Sequence, residues 1–150
     1  MNSKDNRIQL SSGSLSIEEL EAIFKTMPAE VSFVDKDDNV RFFSNKAERF
    51  FLRAPAALDK DMRFCHPKKY LPMVEQILED FKAGKENHVI FWRSNHKGKF
   101  ISIEYFALKN VEGEYLGTLE IVQDITEFKK LEGDRNELIY PSHEEPEIKE

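Results

Sequence analysis

Cysteine is almost missing from this chain. Cys65 is the only one in 150 residues, so no internal disulfide can form, and the composition fits a reducing compartment. Glycine is also scarce, with six residues and no two adjacent, which excludes a Gly-rich phosphate-cradling loop. There is no Gly-x-Ser-x-Gly nucleophile turn either. No apolar run approaches the ~20 residues of a membrane-spanning helix. Met1-Asn2-Ser3-Lys4-Asp5 has no apolar signal core, so the expected location is the cytoplasm, with no membrane partner. A basic surplus is lacking too: 22 Lys and Arg stand against 28 Asp and Glu, a net charge of −6. A nucleic-acid surface, which needs a basic stripe, is therefore not expected.

What the chain does have is pattern. The polar stretch 1–14 ends in Ser11-Ser12-Gly13-Ser14 and reads as a flexible linker. Ser16 with Glu19 three residues later makes a capping box. Leu20, Ile23, Phe24 and Met27 then form one apolar helical face, which Pro28 ends. Val31–Asp35 and Asn39–Phe43 read as a hairpin around Lys36-Asp37-Asp38, followed by a short helical stretch near Ala47–Leu52. A second amphipathic helix carries Val74, Ile77, Leu78 and Phe81, with Gly84 just past its end. Three alternating strands follow, Val89–Arg93, Phe100–Leu108 and Tyr115–Ile125, separated by turns at Lys97-Gly98 and Glu112-Gly113. An exit helix is expected over 128–138, with an apolar stripe of Phe128, Leu131 and Leu138. A disordered acidic tail is expected over 139–150. The predicted class is α+β: a five-stranded antiparallel sheet with helices on one face and the N-terminal helix on the other.

Several of these segments resemble the PAS sensory family. They are the hairpin 31–43 leading into Asn45-Lys46-Ala47, and the last strand closing on Gln123-Asp124-Ile125-Thr126. More narrowly, the chain resembles the PAS-type domain at the C-terminus of bacterial and archaeal hemerythrin-like proteins. Leu10-Ser11-Ser12-Gly13-Ser14-Leu15, Met27-Pro28, Cys65-His66-Pro67, Phe91-Trp92, Ile103-Glu104-Tyr105-Phe106-Ala107 and Gln123–Thr126 carry that likeness. The resemblance implies a sensory domain at 15–127 within a larger protein, downstream of a hemerythrin-like or regulatory domain. No ligand set of a di-iron bundle is recognisable here.

The resemblance also implies a central pocket. Its expected lining is Ile101, Ile103 and Tyr105 on one strand and Leu119, Ile121 and Gln123 on the next. Phe33, Ile77 and Leu78 lie opposite, and Cys65 and His66 stand at the border. The outer face, Phe100, Phe106 and Val122, is expected to pack against Leu20, Ile23, Phe24 and Met27, in the chain or across a homodimer. For His66 two roles stand open: an axial ligand to haem iron, or a cap for the helix that Pro67 begins. The family's flavin-binding photosensors are excluded, because Cys65 follows Arg63-Phe64 instead of preceding such a pair. His88, His96 and His143 share no metal-ligand spacing with His66. Carboxylates occur singly on the strands or in solvated turns, so no catalytic constellation is assembled and no enzyme is expected.

Overall fold

The computed structural model describes residues 6–46 and 49–143. A hairpin of β1 (Arg7–Leu10) and β2 (Gly13–Ser16) leads into helix α1 (Ile17–Thr26). Next come β3 (Glu30–Asp35), β4 (Val40–Phe43), a stretch of short 3-10 turns, and helix α2 (Leu71–Lys82). Strands β5 (His88–His96), β6 (Lys99–Lys109) and β7 (Tyr115–Asp124) complete the fold. One antiparallel sheet has the order β4-β3-β7-β6-β5. The last strand thus sits at the centre, bonded to β3 on one side and β6 on the other.

Local chemistry explains most boundaries. At α1 the Ser16 hydroxyl accepts from the Glu19 amide while the Glu19 carboxylate accepts from the Ser16 amide, satisfying two otherwise orphaned donors. Gly84 follows α2 with φ of 72°, a left-handed turn that costs glycine little. Lys97 and Gly98 both have positive φ, as the tight turn between β5 and β6 demands. Gly117 is needed for a different reason. A Cβ there would stand 2.2 Å from the Val34 carbonyl oxygen and 2.6 Å from the Phe33 ring, so only glycine lets β7 lie this close to β3.

Register assigns the two faces of the sheet. Ile103 faces Val122, Tyr105 faces Glu120, and Ser32 faces Glu120 from the other side. Directly opposed residues share a face, so Ser32, Val34, Ile101, Ile103, Tyr105, Thr118, Glu120 and Val122 form one face, here called inner. Helix α2 buries Val74, Leu78 and Phe81 over it. On the outer face lie Val31, Phe33, Leu119 and Ile121, and α1 covers them with Leu20, Phe24 and Met27. The Phe24 and Phe42 rings meet at 4.7 Å.

Four segments depart from the sequence expectations. Residues 7–16, read as linker, form the β1–β2 hairpin, because Ile8 pairs with Leu15 and Arg7 bonds both Ser14 and Glu19. The expected exit helix 128–138 is only a 3-10 turn at Phe128–Lys130. Beyond it Leu131 is extended and Gly133 takes a positive φ. Leu131 and Leu138 are largely exposed, so no apolar face anchors a helix too short to stand alone. In the acidic tail Pro141–His143 make a 3-10 turn, and residues 144–150 lie outside the described residues. The helical stretch expected near 47–52 falls partly outside them too, and residues 49–52 are not helical.

Candidate functional site

Between the inner sheet face and α2 lies a cavity in two lobes, of about 40 and 240 Å³. Arg53, Cys65, His66, Val74, Tyr105 and Glu120 border both lobes and make their common wall. Ser32, Val34, Ile77, Leu78 and Thr118 line the smaller lobe. Phe51, Tyr70, Met73, Phe91, Arg93 and Ile103 line the larger one.

The common wall is charged. Arg53 Nη2 lies 3.1 Å from Glu120 Oε1, and both side chains are largely buried. Tyr105, cross-strand from Glu120, adds its hydroxyl. Burial, then the neighbouring Glu120 carboxylate, drive its pKa far above the usual phenol value. A second pair stands behind it. Arg49 reaches Glu30 at 3.8 Å, with both side chains over nine-tenths buried. Glu30 also accepts from the backbone amides of Phe50 and Phe51, and Arg49 donates to the Ser44 carbonyl. Burial pulls the Arg49 pKa below its ordinary value, against the opposing pull of Glu30. Buried ions persist only when paired and hydrogen-bonded. These contacts therefore clamp the segment 49–53 onto β3 and β7, and that segment forms the roof of the cavity.

The other end of the cavity is fixed from the β3–β4 turn. Asp38, expected in a solvated turn, is buried, 2.8 Å from Lys82 Nζ and 3.1 Å from Arg63 Nη1. It ties the hairpin turn to the end of α2. His66 does not cap the helix after Pro67. Its Nδ1–H donates back to the Met62 carbonyl at 3.0 Å and closes the preceding turn. In the neutral ring this leaves the Nε2 lone pair unused.

The structure separates the expected pocket residues into two sets. Cys65, His66, Ile77, Leu78, Ile103 and Tyr105 border the cavity. Ile101 is on the same face but fully enclosed in the core with Ile103 and Val122. Phe33, Leu119 and Ile121 lie on the opposite face, in the groove beneath α1. Gln123, paired with Ser102, shares that outer face. Val122, expected outside, is inside and almost fully buried. The register of β7 is thus inverted relative to the sequence reading. Its apolar residues Leu119 and Ile121 face the helix cover, while Thr118 and Glu120 face the cavity. Of the expected outer set, Leu20, Phe24 and Met27 line that groove. Ile23 is 42% exposed. Phe106 stacks on His88 at 4.6 Å, and Lys129 covers the Phe100 ring at 3.6 Å.

Sequence reasoning missed Arg49, Arg53, Glu30 and Glu120. A signal existed, since the two arginines flank Phe50-Phe51-Leu52 and Glu120 interrupts Leu119–Val122. A charge inside an apolar run marks either an exposed face or a buried pair, and here it is the pair.

The cavity is small and charged for a group the size of haem. At about 240 Å³ the larger lobe falls below the ~300–1,000 Å³ of drug-sized ligand sites. The common wall also places a buried charge pair where an apolar macrocycle would lie. Among the described residues no group of three His, Cys, Asp or Glu side chains is arranged to hold a metal ion. No helix is long and apolar enough to cross a membrane among those residues.

Comparison with known proteins agrees with this architecture. The C-terminal domain of a Streptococcus mutans protein superposes with a TM-score of 0.78 and 33% identity, covering 84% of this chain and 97% of that one. The PAS domain of BvgS from Bordetella pertussis gives 0.54 and 18% identity, over 76% of this chain and 89% of that one. The Vibrio cholerae VqmA dimer gives 0.53 and 17%, over 79% and 55%. No curated protein matches the sequence significantly. The PAS-domain family matches residues 20–126. With that match over most of its length, the chain belongs to the PAS domain family, a family of sensory and signalling modules.

Proposed function

We propose that this PAS domain senses a small molecule held in the inner cavity and passes its occupancy to α1. The observation that carries this reading is the position of β7. Successive residues of this central strand face the cavity (Thr118, Glu120) and the groove beneath α1 (Leu119, Ile121). A ligand that favours one placement of Glu120 shifts its neighbours under the helix by the same strand movement. Such a shift requires differential affinity for two arrangements. The exit segment then contributes through Phe128 and Leu131, both exposed, as contact points for a neighbouring domain. No reaction is assigned to the cavity, whose one carboxylate, Glu120, is paired with Arg53.

The module belongs, in this reading, to a cytoplasmic signalling protein, downstream of a hemerythrin-like or other regulatory domain. The support is the sequence resemblance, together with the C-terminal position of the Streptococcus mutans domain in its own protein. Denaturing the purified protein and analysing the released small molecules by absorbance and mass spectrometry tests the ligand. A stoichiometric compound is the expected result. A protein that arrives empty and takes up nothing from a cell extract overturns it.

A second reading has its own observation. Ile90 and Trp92 on the outer side of β5 are 42% and 63% exposed, and the groove under α1 is open. A homodimer through this face and α1 would cover both. Light scattering should then give a mass twice that of the chain, which Phe24→Glu halves. A monomeric wild type removes this reading.

A further inference from the structure

The larger lobe of the cavity has an unbalanced charge, and the imbalance specifies a ligand class. Three side chains with cationic or basic nitrogen border it: Arg53, His66 and Arg93. The one carboxylate, Glu120, is already engaged by Arg53 at 3.1 Å. The Nδ1–H of His66 is engaged by the Met62 carbonyl, so in the neutral ring Nε2 can only accept. Arg93 differs from both. It stands on the inner side of β5, cross-strand from Ile101, its guanidinium 6.0 Å from the Tyr70 ring centre. Among the described residues no carboxylate pairs with it. Lys69 Nζ also stands over this ring, 4.8 Å from its centre. Lys69 first, and Arg93 after it, hold the Tyr70 hydroxyl below its usual pKa. The cavity mouth is thus a cationic spot on a chain of net charge −6.

The rest of the lobe is apolar: Phe51, Met73, Val74, Phe91 and Ile103. A ligand suited to it has a small hydrocarbon body and one negative charge. A dianion such as a phosphate monoester would need a second unpaired cation in the lining of the lobe, where Arg53 is already neutralised by Glu120. The flat guanidinium of Arg93 matches a carboxylate through two parallel hydrogen bonds.

Resting on the sensory reading above, we infer that the larger lobe binds a small monocarboxylate with an aromatic or branched aliphatic body. The carboxylate sits on Arg93 at the mouth, and the hydrocarbon lies against Phe51, Phe91 and Ile103. Tyr70 flanks the head group.

Calorimetric titration and amide NMR spectra of the whole chain test this, with benzoate, phenylacetate and isovalerate as probes, each beside its neutral carboxamide. At least one acid should bind at least about tenfold more tightly than its amide, a difference typical of one charge-assisted pair. Added salt should narrow the gap. Arg93→Met should abolish the preference while leaving the spectrum of the folded core unchanged, and Arg93→Lys should keep part of it. Amides that bind as tightly as the acids overturn the carboxylate assignment and leave the sensory cavity standing. If neither acids nor amides shift any resonance of the cavity wall, the carboxylate assignment falls. A cell-extract ligand recovered in the same cavity would then decide the sensory reading separately.

Discussion

The two faces of the sheet are covered in opposite ways. The inner face carries Ser32, Thr118 and Glu120 among its apolar residues, yet it encloses the tightest packing in the molecule. Phe81, Ile101 and Val122 are each at most 1% exposed. Beneath α1 the outer face presents an apolar patch of Val31, Phe33, Leu119 and Ile121, with Glu104 beside Ile121 bonded to His88. Its cover α1 nevertheless has no buried residue, and a groove of about 600 Å³ remains between them. Hydropathy would rank the outer face as the core. Packing ranks the inner one, because the buried charges there are paired and fix the roof to the strands. Apolar area draws surfaces together without direction, whereas the ion pairs of the inner face set a single geometry.

The comparison can be broken most directly by truncating one aromatic on each face. Phe81→Ala should cost about 4 kcal/mol, the usual price of a large cavity in a closed core. Phe24→Ala, in a half-covered groove, should cost only about 1 kcal/mol. Urea unfolding of both variants measures the difference, and equal losses would show that α1 packs as tightly as α2. Next in size is Glu120→Gln, which leaves Arg53 buried without a counter-charge and should cost about 3 kcal/mol. Replacing both residues with apolar side chains should recover much of that loss. If the single substitution is neutral, the pair does not hold the roof.

The smallest effect concerns pH. Tyr105 has its folded pKa raised by burial and by Glu120. Its contribution to stability is therefore complete below the unfolded value of ~10 and is lost as the pH rises past it. Unfolding free energies should fall above about pH 10 more steeply for the wild type than for Tyr105→Phe. Burial raises the Tyr115 pKa as well, so the variant should keep a shallower slope of the same sign. Parallel curves would place the Tyr105 hydroxyl in solvent.

Element types and order were largely legible from periodicity. The capping box, the α2 stripe and the three-strand meander all stand where their spacing puts them. The β7 register was not legible, because an apolar-inward rule cannot choose between faces when both are covered. Leu119 and Ile121 satisfy that rule under α1, and Glu120 is tolerated inside only because Arg53, distant in sequence, reaches it. Asp38 was misread for the same reason: its partners Arg63 and Lys82 come from other elements. The exit segment failed differently. Phe128, Leu131 and Leu138 have helical spacing but nothing to bury against, and spacing alone cannot reveal an absent partner.

The hydrogen bonds of α1 have a thermal consequence. The capping box, the Arg7–Glu19 ion pair and the β1–β2 ladder all lie within residues 7–26. From the sheet side, Lys46 donates to the Lys25 and Met27 carbonyls and the Ala29 amide to that of Met27, all at the C-terminal end of the helix. The hairpin and helix can therefore tilt as one lever while keeping their own bonds. What holds the lever down is apolar contact, whose strength falls on cooling because its origin near room temperature is entropic. In the cold, this lever should loosen before the ion-paired roof on the other side of the sheet.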